Sequence, residues 1–385
     1  MSWETVKLGE LYEVHNGLSK GGKYFGSGYP FLTFSTVFNN FFIPEEITDY
    51  VQSSDSERMN YSIQRGDVFV TRTSETANEL GMSCVALKDY PNATYNGFTK
   101  RMRPISDRVL PEYIGYYMRM PSFRGKFQAF STMTTRASLK NDDLLSLEIR
   151  LPDFQTQERI AKILMKHDAL IKNNQKQIKL LEEAAQRLYK EWFVDLHFPG
   201  YETTPIIDGV PEGWKKEKVG NLLGNVSRTK QIKATEYLAE GRIPIVDQSR
   251  DFIAGYTNDN DSLVDVGVPV IVFGDHTRIL KYIQFPFAKG ADGTQLIVSK
   301  ENCMPQSLFY LSLVAVDLSN YHYARHYKYL KAEQIIVPNI DIATKFDKIV
   351  STIFLKIQNL RDTNNKLSQA RDCLLPKLMN GELEV

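Results

Sequence analysis

The side chains best suited to chemistry are basic residues that form clusters in both halves of the chain. Arg72 and Arg278 each follow a short apolar run into a polar turn, where a side chain can project. Guanidinium and ammonium groups neutralise phosphates, and arginine can also pair with guanine through two hydrogen bonds. The alternative for each residue is a solvated or ion-paired surface position, since the chain has 47 basic and 46 acidic residues and a net charge of +1.

Short signatures of enzymes that act on nucleotides or DNA are missing. Gly22-Lys23 and Gly125-Lys126 are not followed by Ser or Thr, which argues against a P-loop ATPase. The chain has no Pro-Pro dipeptide, which adenine N6-methyltransferases need, and no Glu-x-Lys, the spacing of a common metal-dependent nuclease motif. His322 and His326 are four residues apart and could share a helix face, but a surface or structural role explains them better. We therefore expect no catalytic site and no metal site in this chain.

Length and composition indicate a cytoplasmic protein of several domains. A chain of 385 residues is too long for one ordinary core and predicts two or three. Cys84, Cys303 and Cys373 are widely scattered, which suits a reducing compartment rather than a disulfide framework. The start of the chain lacks the apolar core of a secretory signal, and apolar runs such as 268–273 are too short to span a bilayer.

The same unit occurs twice along the chain. Trp3-x3-Lys7-Leu8-Gly9-x-Leu11 returns as Trp214-x3-Lys218-Val219-Gly220-x-Leu222. Leu151-Pro152 precedes one long helical pattern, and Val337-Pro338 precedes another. We therefore predict two β-rich modules, each followed by a long helix. A Pro/Gly-rich linker follows the first helix, around residues 195–213.

The two helices carry apolar residues at alternating spacings of four and three, which predicts a coiled coil. Neither apolar stripe can remain in water, so the helices most simply pair with each other as antiparallel partners. The seam residues of the two helices correspond at one constant offset in residue number. Ile160 of the first helix corresponds to Phe346 of the second, and every other seam residue has its counterpart at the same offset. The seams are Ile160, Leu164, His167, Ile171, Asn174, Ile178, Leu181, Ala185, Leu188 and Trp192, and Phe346, Val350, Ile353, Ile357, Leu360, Asn364, Leu367, Arg371, Leu374 and Leu378.

Polar seam residues make the register of this pair predictable. With Ile160 at heptad position d, Asn174 falls at d and Asn364 at a. Because d faces a in an antiparallel pair, we predict that Asn174 and Asn364 form one polar layer, with their amides bonded to each other. Pro376 should kink or end the second helix, because proline lacks an amide hydrogen.

These features resemble the specificity (S, HsdS) subunits of type I restriction–modification systems over nearly the whole chain. Similar segments include 71–76 and 81–85 in the first module, and 273–278, 290–294 and 325–330 in the second. Gln157-Glu158-Arg159-Ile160-Ala161 resembles the start of the family's conserved helix, and Pro211-Glu212-Gly213-Trp214 resembles its entry to the second domain. The second helix departs from this pattern, with Ala343-Thr344-Lys345-Phe346-Asp347 at the corresponding place.

The resemblance implies a mixed α/β fold with a pseudo-twofold repeat, in which two target-recognition domains are joined by an antiparallel coiled coil. The expected domains are residues 1–152 (target-recognition domain 1), 153–196 (first helix), 197–338 (linker and target-recognition domain 2) and 339–385 (second helix). In such domains DNA contacts lie in loops beside short strands. The candidates are Arg72, Thr73, Lys100, Arg101, Arg136 and Lys140, and Arg228, Lys230, His276, Arg278, Lys281, Arg325 and Lys328.

The resemblance also implies partners. Each recognition domain would read one half of an asymmetric, interrupted sequence in double-stranded DNA. Two modification subunits would bring the adenine-methyltransferase site and S-adenosylmethionine, and two restriction subunits can join with ATP and Mg²⁺. No cofactor is expected in this chain itself. Two alternatives remain: a two-headed coiled-coil scaffold that binds proteins without DNA, and an orphan specificity protein that exchanges halves with a related locus.

Overall fold

The computed structural model of this chain describes residues 3–74, 79–129, 137–267, 269–321 and 325–385. Its internal contacts define two compact units, Met1–Lys172 with Asn365–Val385, and Asn173–Asn364. Each unit contains one β-rich module and a part of both long helices. The predicted mixed class of strands and helices is therefore confirmed.

The first module contains a four-stranded antiparallel sheet, a three-stranded sheet and two separate strand pairs. Its buried apolar residues form two clusters, one of which includes residues from the long helices. The strands are β1 (Glu4–Lys7), β2 (Tyr12–Asn16), β3 (Phe25–Leu32), β4 (Tyr50–Val51), β5 (Val68–Thr71), β6 (Thr73–Ser74), β7 (Ser83–Val85), β8 (Thr94–Tyr95), β9 (Thr99–Pro104), β10 (Ala137–Ser138) and β11 (Glu148–Leu151). The helices are α1 (Phe34–Asn39), α2 (Asp55–Asn60), α3 (Pro111–Tyr117), α4 (Pro121–Ala129), α5 (Asn141–Ser146) and the long α6 (Phe154–Tyr189).

The second module contains a four-stranded sheet, a three-stranded sheet and two strand pairs. Its strands are β12 (Ile206–Ile207), β13 (Val210–Pro211), β14 (Lys215–Lys218), β15 (Ile243–Val246), β16 (Gly255–Thr257), β17 (Leu263–Val264), β18 (Val270–Gly274), β19 (Leu280–Ile283), β20 (Phe287–Lys289), β21 (Thr294–Ile297) and β22 (Gln334–Val337). The helices are α7 (Val219–Leu222), α8 (Gln306–Val314), α9 (Tyr327–Ala332) and the long α10 (Ile340–Met379).

The repeat predicted from the sequence is present in the strand pairing. β1 pairs antiparallel with β11, and β14 pairs in the same way with β22. β3 runs parallel to β8, as β15 runs parallel to β20. β5 lies between β7 and β9, as β18 lies between β19 and β21. The two modules therefore share these pairings, although the sheet around β5 has four strands where the sheet around β18 has three.

The glycine of the repeated tryptophan motif has a steric role. A Cβ atom on Gly9 would lie 3.2 Å from the carbonyl oxygen of Leu145, and one on Gly220 would lie 3.1 Å from that of Lys331. Leu145 belongs to α5 and Lys331 to α9, and the offset between them is the one that relates the two helix seams. The motif therefore places a glycine where the chain passes close to the short helix of each module.

Both long helices begin directly after a proline, at a side-chain cap. The N–H of Thr156 donates to Asp153 Oδ1 at 3.0 Å, and the N–H of Ile342 donates to Asn339 Oδ1 at 3.0 Å. Such caps satisfy amides that have no partner within the helix. The expected effect of Pro376 is seen only in part, because α10 continues for three residues beyond it and ends with that turn.

In the first unit, the beginning of α6 and the end of α10 pack on the first module. Ile160, Leu164, Leu375 and Leu378 all belong to its larger core cluster. Further along α6, Asp168 accepts hydrogen bonds from Arg371 of α10 at 2.6 Å and from the Tyr116 hydroxyl of α3 at 2.5 Å. Residue numbers rise along α6 as they fall along α10, so the helices are antiparallel here.

In the second unit, the end of α6 and the beginning of α10 pack on the second module. The ring of Phe193, in the helical turn that follows α6, lies 4.9 Å from the ring of Phe346. Asn174 Nδ2 donates to Asn364 Oδ1 at 2.8 Å, which confirms the predicted polar layer. All residues of both predicted seams are buried or half-buried.

The stretch predicted as a linker is packed rather than extended. Phe198, Val210 and Trp214 belong to the core cluster of the second unit, and the rings of Phe198 and Trp214 lie 4.6 Å apart. Between them, β12 and β13 form a hairpin in which β12 and the tip are exposed and β13 is buried, with Asp208 and Gly209 at the tip in positive φ conformations. The exit from α6 is therefore fixed to the second module by aromatic contacts.

Candidate nucleic-acid interface

In the second module, a buried aspartate joins the turn after β18 to the start of α9. Asp275 is 4% exposed. Its carboxylate accepts a hydrogen bond from the Tyr327 N–H at 2.7 Å, and its carbonyl oxygen accepts one from the His326 N–H at 2.9 Å. These bonds bring residues 276–278 and 325–328 to the same end of the module, although the two segments are far apart in the sequence.

Gln248, in the loop after β15, connects this turn to the glycine turn at 290–293. Its Nε2 donates to the Asp292 carbonyl oxygen at 2.8 Å, and its Oε1 accepts from the His276 N–H at 3.1 Å. Its carbonyl oxygen accepts from the Thr277 hydroxyl at 2.7 Å. Gln248 was not among the residues predicted from the sequence; the available signal was a run of polar residues directly after β15.

Lys281, a predicted DNA contact, instead supports the loop that carries Gln248. Its ammonium donates to the carbonyl oxygens of Asp247 and Asp251, the first at 2.8 Å. Burial lowers the pKa of Lys281, and the nearby aspartates only partly oppose this effect. The prediction is wrong for Lys281, because a side chain that is 4% exposed and bonded to two carbonyl oxygens cannot reach a phosphate.

Four predicted residues of the second module are exposed at this end, namely His276, Arg278, Arg325 and Lys328. The backbone of Arg278 has a φ of +62°, and its Nη1 donates to the Leu318 carbonyl oxygen at 3.0 Å. The Lys328 ammonium lies 4.6 Å from the centre of the Tyr329 ring. These contacts hold cationic groups at the surface, where a phosphate or a base edge can approach.

Arg228 and Lys230 are also exposed, in a segment beside the glycine turn. Lys230 forms an ion pair with Asp259 at 2.6 Å, and this hydrogen bond raises the pKa of Lys230. The following Gln231 donates from Nε2 to the Gly290 carbonyl oxygen at 3.0 Å. A phosphate would have to displace Asp259 to bind Lys230, so Arg228 is the better candidate of the two.

In the first module, Arg72 follows β5 and joins three segments. Its carbonyl oxygen accepts from the Leu139 N–H and its own N–H donates to the Phe98 carbonyl oxygen, both at 3.0 Å. Its Nη1 donates to Asn16 Oδ1 at 3.3 Å. The bond from Leu139, just before α5, corresponds to the bond from His326, just before α9. The same backbone link therefore occurs in both modules.

Lys100 and Arg101 were predicted to contact DNA, but they lie on β9, between β2 and β5, and are 6% and 3% exposed. The Lys100 ammonium donates to Asn141 Oδ1, and Arg101 Nη1 donates to the Ser62 carbonyl oxygen at 2.8 Å. Burial lowers the pKa of Lys100, and the neighbouring charge of Arg72 lowers it further. The prediction is wrong for both residues, because their charged groups are held inside the module.

The remaining predicted residues of the first module have different positions. Lys140 is exposed directly before α5. Thr73 lies in β6, which pairs with β10. Arg136 lies outside the described residues. Lys140 is therefore the one candidate of this group whose charge the described structure places at the surface.

The first module also exposes aromatic residues that were not predicted from the sequence. Phe98, next to the Arg72 backbone, is 57% exposed. On β3 and β4, Tyr29 and Tyr50 are also exposed, and the Arg58 guanidinium lies 3.7 Å from the centre of the Tyr29 ring. Rings beside cations are typical of nucleic-acid surfaces. The signal in the sequence was the run 17–29, which is rich in glycine, lysine and aromatic residues.

The described part of the chain offers no metal site and no membrane segment by geometry. Among its residues, no group of three or more His, Cys, Asp or Glu side chains is placed to hold a metal ion. No helix in the described ranges combines the length and the apolar character needed to cross a membrane. What the structure presents is a pair of loop scaffolds that carry exposed cations and aromatic rings.

The sequence is similar to those of known proteins. Residues 1–183 match a family model described as "Type I restriction modification DNA specificity domain". The chain is 26% identical over 413 residues to the type I restriction enzyme MjaIX specificity subunit of Methanocaldococcus jannaschii, covering 100% of this chain and 94% of that protein. It is 22% identical over 486 residues to the type I restriction enzyme HindI specificity subunit of Haemophilus influenzae, covering 99% of each.

One solved structure shares the fold along nearly the whole chain. It is the crystal structure of a type I restriction–modification system S subunit from M. genitalium, with a TM-score of 0.57 and 15% sequence identity. The alignment covers 98% of this chain and 96% of that structure. The likeness therefore extends to both modules and both long helices.

Proposed function

We propose that this chain is a specificity (S, HsdS) subunit of a type I restriction–modification system, to whose specificity domain and subunits it is similar, and that it selects the DNA sequence on which such a system acts. One observation carries the proposal. In each module, the residue after the central strand accepts a backbone hydrogen bond from a residue one or two positions before a short helix, and exposed cations adjoin this link. The chain thus has two surfaces of the same construction, each suited to one stretch of DNA.

The two surfaces differ in their exposed side chains, which supports recognition of two different half-sites. The second module presents His276, Arg278, Arg325 and Lys328, whereas the first presents Lys140 and the half-buried Arg72. Base edges are read by side chains at defined positions, so different side chains on a shared scaffold select different bases. An asymmetric, interrupted target follows from one surface of each kind.

Catalysis is assigned to partners in this proposal. Two modification subunits bind the chain and supply the adenine-methyltransferase site with S-adenosylmethionine. Two restriction subunits add ATP-dependent translocation and Mg²⁺-dependent cleavage in a complete system. The absence of P-loop, Pro-Pro and Glu-x-Lys signatures from the sequence is in keeping with this division of roles. The complex works where its DNA is, in the cytoplasm.

The test of this function is a map of N6-methyladenine in cells that contain the modification subunit, with and without this chain. We expect a bipartite motif to be methylated only when the chain is present. A methylation pattern that does not depend on the chain would contradict the proposal.

A second experiment measures DNA binding by the assembled complex as a function of salt concentration. Arg325→Ala should weaken binding and flatten the log–log salt slope by about 0.9, if that residue neutralises one phosphate. Lys300→Ala is the matched control. Lys300 is an exposed cation that follows the end of β21, whereas the glycine turn at 290–293 precedes the start of that strand. Equal salt slopes for both variants would remove Arg325 from the interface.

A further inference from the structure

The polar residues of the two helix seams occupy different heptad positions. On α6, His167 and Asn174 lie at d, and every a position is apolar: Leu164, Ile171, Ile178 and Ala185. On α10 the arrangement is reversed. Asn364 and Arg371 lie at a, and every d position is apolar: Phe346, Ile353, Leu360, Leu367 and Leu374.

This phase difference determines which helices can pair antiparallel. Since d faces a in such a pair, Asn174 of α6 can meet Asn364 of α10, as it does at 2.8 Å. If α6 paired with α6 of a second copy, Asn174 would face an apolar residue in every heptad register. Two copies of α10 would likewise place Asn364 opposite an apolar residue. A buried amide without a partner is strongly disfavoured.

In the ion pairs beside the seams, the two helices also carry different residues. In the first unit, Arg371 of α10 bonds to Asp168 of α6 at 2.6 Å. In the second unit, Arg361 of α10 bonds to Glu182 of α6 at 2.8 Å. Both carboxylates belong to α6 and both guanidinium groups belong to α10.

The residues at the positions equivalent to these charges cannot replace the missing partners. At the constant offset between the two seams, Asp168 of α6 corresponds to Phe354 of α10, and Arg371 of α10 corresponds to Ala185 of α6. An antiparallel α6–α6 pair in the observed register would therefore place Asp168 opposite Ala185. An antiparallel α10–α10 pair would place Arg371 opposite Phe354.

A parallel self-pair is disfavoured by charge alone. It would match Asn174 with its own copy, but it would leave Asp168 and Glu182 without the arginines of α10. Two copies of α10 would leave Arg361 without its carboxylate partner, and Arg371 would keep only the exposed Asp372 of its own helix. The four groups of the two interhelical pairs are only partly exposed, with side-chain exposures of 15–42%. Removing the partner of a partly buried charge costs more than losing an exposed pair.

We propose that α6 and α10 form an exclusive pair, in which each helix accepts the other and excludes a second copy of itself. The consequence is that a first module always combines with a second module. Products that contain only one repeat, or two copies of the full chain, cannot join like modules through these helices. Neither this pairing nor its test depends on DNA binding.

The direct test is to cut the folded full-length protein at the exposed tip of the β12–β13 hairpin. A protease site between Asp208 and Gly209 separates the first module and α6 from the second module and α10. Two differently tagged, cleaved proteins are mixed, unfolded, refolded and examined by native mass spectrometry. We expect like pairs to be at least about a hundredfold rarer than unlike pairs, which corresponds to about 2.7 kcal/mol. Like pairs of comparable abundance would overturn the proposal.

A variant should reverse this preference. Gln175→Arg and Ile178→Asn together give α6 two of the residues that α10 carries at the equivalent positions. In an α6–α6 pair, the new residues face Glu182 and Asn174, so like pairs should now appear. The control changes exposed neighbours in the same way: Lys176→Arg and Leu180→Asn. A variant that forms no more like pairs than this control would contradict the proposal.

Cysteine crosslinking tests the uncut chain and does not require refolding. Asn174→Cys with Asn364→Cys should form a disulfide within one chain, since the two native side chains are in contact. Asn174→Cys with Ile178→Cys would join two chains only if α6 paired with itself, because these positions face each other in that case. Efficient dimer formation by the second variant on a non-reducing gel would refute exclusive pairing.

Discussion

The asparagine layer allows a quantitative prediction about the stability of the second unit. Asn174 is 8% exposed, whereas Asn364 is half-buried. Asn364→Leu would leave the buried Asn174 amide without a partner, and we expect it to lower the free energy of unfolding by about 2–3 kcal/mol. Asn174→Leu would leave the more accessible Asn364, which water can partly satisfy, so about 1 kcal/mol is expected.

The double variant should be more stable than either single variant. With leucine at both positions, no amide is left unpaired, and two apolar side chains meet in the seam. Replacing both partners of a buried hydrogen bond by apolar groups is often close to neutral. The coupling free energy between the two positions should therefore be about 3–4 kcal/mol, the sum of the two single losses, at or above the upper end for residues in contact.

The assay is urea unfolding followed by tryptophan fluorescence in a Trp3→Phe background. The remaining Trp192 and Trp214 lie in the core cluster of the second unit, so their signal follows that unit. Asn173→Leu and Asn365→Leu are the controls, because these neighbouring asparagines are exposed. They should change stability by no more than about 0.5 kcal/mol. Additive effects of Asn174→Leu and Asn364→Leu would refute the reasoning.

Three further predictions follow from burial and close packing. Lys100→Ala and Arg101→Ala should lower stability by about 1–3 kcal/mol each without flattening the salt slope of DNA binding, because both charged groups are bonded inside the module; a flattened slope with unchanged stability would contradict their placement. Gly17→Ala should lower the midpoint of thermal unfolding, because its Cβ would clash with the Asn96 carbonyl oxygen, whereas Gly21→Ala should not, since no atom lies within 4 Å of its Cβ position. Cys373, which is exposed, should react first with a thiol reagent at pH 7.5, and Cys84 should react only on unfolding. Cys84 is buried, and burial raises the pKa of its thiol to about 12. Early modification of Cys84, detected by peptide mass mapping, would contradict this prediction.

The helices and the repeat could be predicted from the sequence because their signals are periodic and local. A 3.5-residue apolar period identifies a seam without knowledge of the rest of the chain. The heptad phases of Asn174 and Asn364 then fix which residues face each other. The Asn174–Asn364 hydrogen bond therefore followed from counting, together with the cost of an unpaired buried amide.

The interface loops could be predicted only in part, because their shape depends on bonds between distant segments. Asp275 and Gln248 are ordinary polar residues in the sequence, and only the folded module shows that they join loops from different parts of the chain. Lys100 and Arg101 were misjudged because a basic run was taken as a surface feature. β9 has neighbouring strands on both sides, so its cations are held by Asn141 and Ser62 inside the module.

The most direct test of the central claim is an exchange of one module between related specificity subunits, followed by sequencing of methylated genomic DNA. Residues 3–152 would be replaced by the corresponding segment of a relative with a different target, and both long helices would be kept. If each module reads its own half-site, one half of the methylated motif should change and the other half should remain. A change in both halves, or in neither, would contradict the account.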